Sequence, residues 1–371
     1  MPVHSCIKHL PSHELKQAIK IGTRESQLAV WQATLVQNLL KQHGVPSELV
    51  YIKSEGDMDT VTPLYELGVQ GIFTKSLDAA LLNKRIDIAV HSLKDVPTKL
   101  SDGIRQAAVL ERGSYKDILI YKDDLQVLSS ALGLVNGQWA TDNGQWSMVN
   151  GQWAIDNSQW SMVNKKNNDS NITIHHSTLT THHSPFTVAT SSTRRRAQWL
   201  HRYPNHTIEN LRGNVNTRLR KLNEHKWNGA IFAAAGLERI HLRPENSIDL
   251  DWMLPAPAQG AITIVCRNND TYCFDVCNLL NDAGTEMCTK IERDFLRALL
   301  GGCSTPISAL AVIENDTIIF KGNICSPDGK KKIDIEKKIP VSQASDLGIL
   351  SAKEILADSG KEIMKTIRKK N

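Results

Sequence analysis

The sequence predicts an α/β fold in which two α/β units flank a cleft and a separate α+β unit follows. Three observations predict it. Short apolar runs alternate with helix-spaced apolar residues from Ala18 to Val90, and the same alternation restarts at Phe186. After Cys266 the pattern changes to one helix and three strand-like runs. At 371 residues the chain is long enough for two or three cores.

In the first unit, Ala18 to Thr23 reads as a strand. Ser26 to His43 reads as a helix, with Leu28, Trp31, Leu35 and Leu39 on one face and Gly44 closing it. Glu48 to Lys53 is a second strand, and a helix from Phe73 to Lys84 leads into the strand Ile86 to Val90, the order of a parallel sheet. The second unit repeats this grammar with strand Thr187 to Thr190, helix Thr193 to Tyr203, strand Thr207 to Leu211, helix Val215 to His225 and strand Ala230 to Ala234. Leu254-Pro-Ala-Pro-Ala-Gln-Gly260 punctuates it before a strand, Ala261 to Cys266, that is expected to return to the first sheet. A helix from Thr285 to Leu300 then precedes runs near Ser308 to Ile313, Thr317 to Asn323 and Lys332 to Ile339, with a closing helix from Ser345 to Lys369. The expected units are 18–112 with 261–281, then 113–260, then 283–371, the last an α+β domain with a three-stranded antiparallel sheet.

Charge and cysteine content narrow the function classes. The 44 Lys and Arg against 39 Asp and Glu give a mild +5, which does not point to nucleic acid. Seven cysteines, odd in number and without a Cys-x-x-Cys pair, fit a reducing compartment better than a disulfide framework. Cys273 and Cys277 lack a nearby histidine pair to complete a metal site, so no metal is expected. No run approaches the roughly 20 apolar residues of a membrane span. Met1 to Leu10 has no secretory apolar region, so a cytoplasmic or plastid-type organelle location is expected rather than secretion.

Between Gly133 and Pro185 (the expected insert is about 133–184) lies a seven-residue repeat carrying Trp139, Trp146, Trp153 and Trp160. One strong apolar position among Gly and Asn does not make a coiled-coil seam, so a disordered, low-complexity insert without catalytic role is expected. The His175-His176 and His182-His183 doublets within it are read as compositional.

Chemistry concentrates at strand ends. The apolar run from Ile86 gives way to Ser92, Lys94 and Asp95 before Pro97, which holds Val96 extended and keeps Asp95 from opening a helix. Arg24 and Ser26 follow another strand, Ser192, Arg194 and Arg195 a third, and Arg212 a fourth, with Arg218 about one turn into the next helix. Four strand ends supplying guanidinium, hydroxyl and helix N-terminal donors describe a cleft for a ligand with several anionic groups. Cys303, after Gly301-Gly302, sits where another group can approach closely.

These residues carry a resemblance. The segments Ile21-Gly-Thr-Arg-Glu-Ser-Gln-Leu-Ala29, Asp87-Ile-Ala-Val-His-Ser-Leu-Lys-Asp-Val-Pro97, Thr190-Ser-Ser-Thr-Arg-Arg195, Leu211-Arg-Gly-Asn-Val-Asn-Thr-Arg218, Ala233-Ala-Ala-Gly-Leu-Glu-Arg239, Pro255-Ala-Pro-Ala-Gln-Gly260 and Leu300-Gly-Gly-Cys303 occur in one order. Together they resemble the hydroxymethylbilane synthase, or porphobilinogen deaminase, family. The resemblance implies two periplasmic-binding-protein-like domains and a third bearing the cysteine. It implies a dipyrromethane cofactor held by a thioether to Cys303, on which four porphobilinogen molecules are deaminated and joined head to tail. Hydrolysis then releases linear hydroxymethylbilane. Asp95 takes the place of the family's catalytic aspartate, handling protons and stabilising charge on the pyrrole nitrogens. Arg24, Ser26, Ser92, Lys94, Ser192, Arg194, Arg195, Arg212, Arg218 and Arg239 take the places of cofactor and substrate contacts. A cofactor with four added rings brings about a dozen carboxylates, which suits forked arginines. A monomer with no nucleic-acid or membrane partner is implied.

The chain departs from the family pattern between Thr62 and Phe73, where Glu66 and Gln70 stand in a stretch that often carries lysines. The competing reading is a non-enzymatic anionic-ligand-binding protein of the solute-binding type. Such a protein has no need for a thiol on a loop that reaches the cleft.

Overall fold

A computed structural model of the chain describes residues 18–53, 74–122, 125–132, 134–135, 138–139, 161–162, 175–176, 186–299, 305–357 and 360–368. In chain order the first elements are β1 (Ile19–Thr23), α1 (Gln27–Gln42), β2 (Ser47–Tyr51), α2 (Lys75–Leu82), β3 (Ile88–Ser92), β4 (Ile104–Val109), β5 (Asp117–Tyr121) and α3 (Leu125–Leu132). Next come β6 (Thr187–Ala189), α4 (Thr193–Arg202), β7 (Thr207–Glu209), α5 (Val215–Glu224), β8 (Gly229–Ala233), α6 (Ala234–Glu238), β9 (Ser247–Asp249), β10 (Ile262–Arg267) and α7 (Thr271–Asn278). The last part holds α8 (Ala283–Ala298), β11 (Ile307–Glu314), β12 (Thr317–Cys325), β13 (Lys332–Pro340), α9 (Leu347–Ala357) and α10 (Gly360–Arg368). The insert reading, the Glu66 and Gln70 loop and Cys303 lie largely or wholly outside the described residues.

Two five-stranded sheets share one plan. The first runs β2-β1-β3-β10-β4 and the second β7-β6-β8-β5-β9. In each, three strands are parallel, and the remaining two run antiparallel to their neighbours. The expected parallel sheet is therefore mixed. The physical reason is strand exchange: β5 leaves the first half of the chain to join the second sheet, and β10 returns to the first, as the Ala261 to Cys266 reading anticipated. Two links thus pass between the sheets side by side, joined by Gly113 N donating to Gly260 O at 3.1 Å. Gly260 has φ +89, and a Cβ there would lie 2.7 Å from the carbonyl oxygens of Gly113 and Ser114, so only glycine fits.

Both faces of the first sheet are covered, which is why its strands read as near-continuous apolar runs. Ile88 and Val90 pack with Ala33, Val36 and Leu40 of α1, while Ala89 and Val265 pack with Leu77 and Leu81 of α2. Each Val, Leu or Ile side chain so removed from water contributes about 1.5–3 kcal/mol.

In the third unit, β11, β12 and β13 form the expected three-stranded antiparallel sheet. Phe295 of α8 meets Phe320 of β12 edge to face at 5.3 Å. The closing helix expected as one piece is described as two, α9 and α10.

The third unit docks on α4. Gln198 donates to Ser308 Oγ at 3.0 Å, and its Oε1 accepts from Leu254 N at 3.0 Å. His201 Nδ1 donates to Gly329 O at 2.8 Å. A Cβ on Gly329, at φ +75, would come within 2.6 Å of His201 N, so the turn between β12 and β13 sits directly on the helix backbone. The helix is held from the other side by Trp199, fully buried among Phe186, Tyr203 and Trp252. Such aromatic pairs add about 0.5–1.5 kcal/mol each beyond area burial.

Candidate active site

β3 ends at Ser92, whose hydroxyl accepts from Gln32 Nε2 of α1 at 2.8 Å. The strand, expected over Ile86 to Val90, runs from Ile88 to Ser92 and stops before Asp95. Leu93–Asp95 forms a single 3-10 turn instead, and Val96 is extended at φ −85, ψ 130, as Pro97 demands. Buried Leu93 and Val96 anchor the turn at both sides, while Lys94 and Asp95 between them are only half-buried. Lys94 Nζ donates to Gln259 Oε1 at 3.1 Å. Burial brings the Lys94 ammonium down to about 8, with Arg194 and Arg195 acting in the same sense and Asp95 and Asp117 against it.

The opposite wall starts at β6. Ser192 caps α4 by accepting from Arg195 N at 3.4 Å, and Ser191 Oγ accepts from Leu211 N at 2.9 Å, which sets Arg212 beside this turn. Arg194 and Arg195, only 4% and 5% exposed, both reach the fully buried Asp117 at the head of β5. Arg194 Nη1 lies 2.7 Å from Asp117 Oδ2, and Arg195 donates to Asp117 Oδ1 through Nε at 3.0 Å and Nη2 at 2.7 Å. Gln259 Nε2 donates to the same oxygen at 2.9 Å. Burial alone would raise the Asp117 carboxyl, but the two guanidinium groups and the Gln259 donor outweigh it and hold the group well below the usual range. Gln259 thus bridges Lys94 of one wall to Asp117 of the other.

Asn214 caps α5 by accepting from Thr217 N at 2.9 Å, and Gly213 O accepts from Arg218 Nε at 2.7 Å. Burial, Arg195 and Arg212 bring Arg218 down to about 10 against the opposing pull of Asp95. Lys94, Arg194, Arg195, Arg212 and Arg218 therefore share one electrostatic neighbourhood with Asp95 and Asp117. Asp117 is engaged by two of the arginines, so the cleft carries an excess of positive charge around Asp95.

The remaining expected residues lie around this centre. Arg24 acts electrostatically on His91, and Ser26 occupies the N-cap of α1 without a side-chain capping bond. Arg239 donates to Gly260 O at 2.6 Å and lies over the Trp31 ring at 5.7 Å, so it braces the links between the sheets. Gln27 of α1 accepts from Asn216 Nδ2 of α5 at 2.9 Å, a contact across the two units. Asp117 and Gln259 were not singled out by sequence. The signal for Asp117 was an acid heading the apolar run Asp117-Ile-Leu-Ile-Tyr121, which demands a buried cation. Cys266, Cys273 and Cys277 are buried free thiols pushed up by burial, and no group of three or more His, Cys, Asp or Glu among the described residues could hold a metal ion.

His91, one residue before Ser92, is 7% exposed, and its Nε2 has no hydrogen-bond partner among the described residues. Burial, then Arg24, lowers its pKa from 6.5 to about 4. Below pH 6.5 the unfolded chain takes up a proton that the folded chain refuses until about pH 4. Stability is therefore full above that window and declines as pH falls through it, by about 3 kcal/mol. Denaturant melts of wild type and His91→Phe from pH 7.5 to 4 check this: the variant's curve should be flatter by that amount, and parallel curves would exclude it.

Fold and site together define a two-lobed α/β protein with a cationic cleft around one carboxylate and a third unit docked on α4. Residues 19–135 and 155–275 match the family model "Porphobilinogen deaminase, dipyromethane cofactor binding domain", and residues 286–357 match "Porphobilinogen deaminase, C-terminal domain". The chain belongs to the porphobilinogen deaminase family. It is 34% identical over 365 residues to the porphobilinogen deaminase of Chloroherpeton thalassium, covering 96% of this chain and 100% of that one. It is also 34% identical over 358 residues to that of Acidithiobacillus ferrooxidans, covering 95% and 99%. Among solved structures, the BvgS VFT2 domain of Bordetella pertussis is 14% identical with a TM-score of 0.33, covering 70% of this chain and 85% of that one.

Proposed function

We infer that this chain is a hydroxymethylbilane synthase, a transferase that deaminates four porphobilinogen molecules, joins them head to tail and releases linear hydroxymethylbilane by hydrolysis. The observation that carries the reading in detail is the excess of cations facing Asp95. Lys94 and Arg218, the cations on which Asp95 acts, are shifted downward by burial and by neighbouring arginines, so acetate and propionate groups relieve them. The residues fit the dipyrromethane cofactor on that ground: Arg212, Arg218 and Lys94 take its carboxylates together with Ser92 and Ser192, and Cys303 anchors it. When bound, it supplies the pyrrole end from which the chain grows.

In this reading Asp95 does the electrostatic and proton work. Its carboxylate interacts electrostatically with both Lys94 and Arg218 and opposes the positive charge that develops on a pyrrole nitrogen as ammonia departs. Arg194 and Arg195 act mainly by charge, fixed in place by Asp117. Arg24 and Ser26 serve substrate carboxylates at the end of β1, and Arg239 supports the links. We assign residues 18–112 with 261–281, 113–260 and 283–371 to three units. We place the protein's work, as a monomer without a nucleic-acid partner, in the cytoplasm or a plastid-type organelle. No helix among the described residues is long and apolar enough to cross a membrane.

The test is intact mass of the denatured, active protein beside a turnover assay with porphobilinogen. The expected result is a mass excess of two condensed pyrrole units, absent from Cys303→Ala. An active chain without the excess overturns the cofactor assignment. An unmodified chain that binds porphobilinogen but does not turn it over favours the binding-protein alternative.

A further inference from the structure

We propose that Arg293 of α8 is a positioning residue for the reaction, fixing the turn that carries Lys94 and Asp95 relative to the helix that leads to Cys303. The proposal rests on the reading of Asp95 as the catalytic carboxylate.

Arg293 Nη1 donates to Leu93 O at 3.1 Å and to Val96 O at 2.9 Å, and Nη2 donates to Pro97 O at 2.6 Å. These three carbonyls bracket Lys94 and Asp95 on both sides. Buried Leu93 and Val96 anchor the turn's ends and Leu93 N donates to Ala261 O at 3.0 Å, but nothing among these contacts grips the carbonyls on the far side of Asp95. The turn's internal bond is Val96 N to Leu93 O at 3.2 Å, and Pro97 has no N–H to offer. Single 3-10 turns have poor hydrogen-bond geometry, and their shape depends on what grips them. A planar guanidinium fork reaches three carbonyls at once, which a lysine ammonium on a flexible stem does not reproduce.

The residue before it grips the rest of the molecule. Glu292 accepts from Arg112 and Ala258 N in the two links and from Ala311 N in β11. Neighbouring side chains on α8 therefore tie this helix to both links, to the third sheet and to the Asp95 turn. α8 ends at Ala298, and Cys303 follows in the next segment of chain. Arg293 thus ties the turn bearing the proposed catalytic carboxylate to a helix that is itself fixed to the links and to the third sheet. A misplacement of about 1 Å between a reacting group and its catalyst costs on the order of 10²-fold in rate.

Arg293→Ala holoenzyme should lose about 10- to 100-fold in kcat with KM within about threefold, while its intact mass keeps the cofactor. Arg293→Lys should fall between the two. Amide hydrogen exchange should rise in the peptide spanning residues 90–100 and stay unchanged in β11 to β13, a readout independent of turnover. In the Asp95→Asn background, measured by single-turnover mass of the lengthening chain, Arg293→Ala should cost less than about threefold, because the residue acts through Asp95. Equal losses in both backgrounds, loss of the cofactor mass, or unchanged kcat with unchanged exchange would each overturn the proposal alone. Near-normal turnover in Asp95→Asn would overturn the reading of Asp95 and the proposal with it.

Discussion

Asp95→Asn should lower kcat by about 10²- to 10⁴-fold, the range that a positioned acid–base or charge-stabilising group supplies, and leave KM for porphobilinogen within a few-fold. The amide keeps the shape and loses the negative charge. Asp95 opposes the cations at Lys94 and Arg218, so its loss also drives the Lys94 ammonium further below about 8 and deepens the crowding of positive charge. Substrate carboxylates still meet those cations, which is why binding is expected to persist while the chemical step fails. The fold is expected to persist too. The turn is anchored by Leu93 and Val96 and gripped through its carbonyls by Arg293, none of which involves the Asp95 carboxylate. Matched thermal midpoints and far-ultraviolet spectra, beside steady-state rates, separate loss of chemistry from loss of structure. Near-normal product formation would remove Asp95 from the mechanism.

How much of this was legible in sequence depended on range. The α/β alternation around β1, α1, β2 and β3 was visible because local periodicity and burial on both faces leave a mark within a dozen residues. β4, β5 and β9 were not singled out, since each is paired antiparallel with a strand from far along the chain. The arginine wall was visible as residue types at strand ends. Its internal bracing by Asp117 and Gln259 was not, because those contacts span 78 and 142 residues of sequence. Arg194 and Arg195 look alike in sequence to Arg212 and Arg218, and only packing shows that the first two share a buried carboxylate. Glu292 left a readable signal: it falls on the apolar stripe of α8 with Cys288, Ile291 and Phe295, where a charge is stable only if paired.

That pairing sets the second large effect. Glu292→Ala should destabilise the folded chain by about 3–5 kcal/mol, the cost of leaving one partner of a buried ion pair alone. Glu292 is fully buried and accepts four hydrogen bonds: from Arg112 Nη1 at 2.6 Å and Nη2 at 3.1 Å, from Ala258 N at 2.6 Å and from Ala311 N at 2.8 Å. Alanine strands the guanidinium with only Gln259 O at 2.8 Å and the Tyr115 ring nearby, and leaves two backbone amides without their acceptor. Each unsatisfied buried donor costs about 1–3 kcal/mol, though the three losses are not additive. The double variant Arg112→Met/Glu292→Met separates the terms. It removes the stranded charge and restores apolar packing but still lacks the amide acceptors, so it should recover part of the loss and stay below wild type. Urea melts followed by tryptophan fluorescence and by circular dichroism measure both variants. If Glu292→Ala costs under about 1 kcal/mol, the carboxylate is not the joint between the links and the third sheet that its contacts describe. If the double variant is no more stable than the single one, the loss belongs to the two amides rather than to the buried charge.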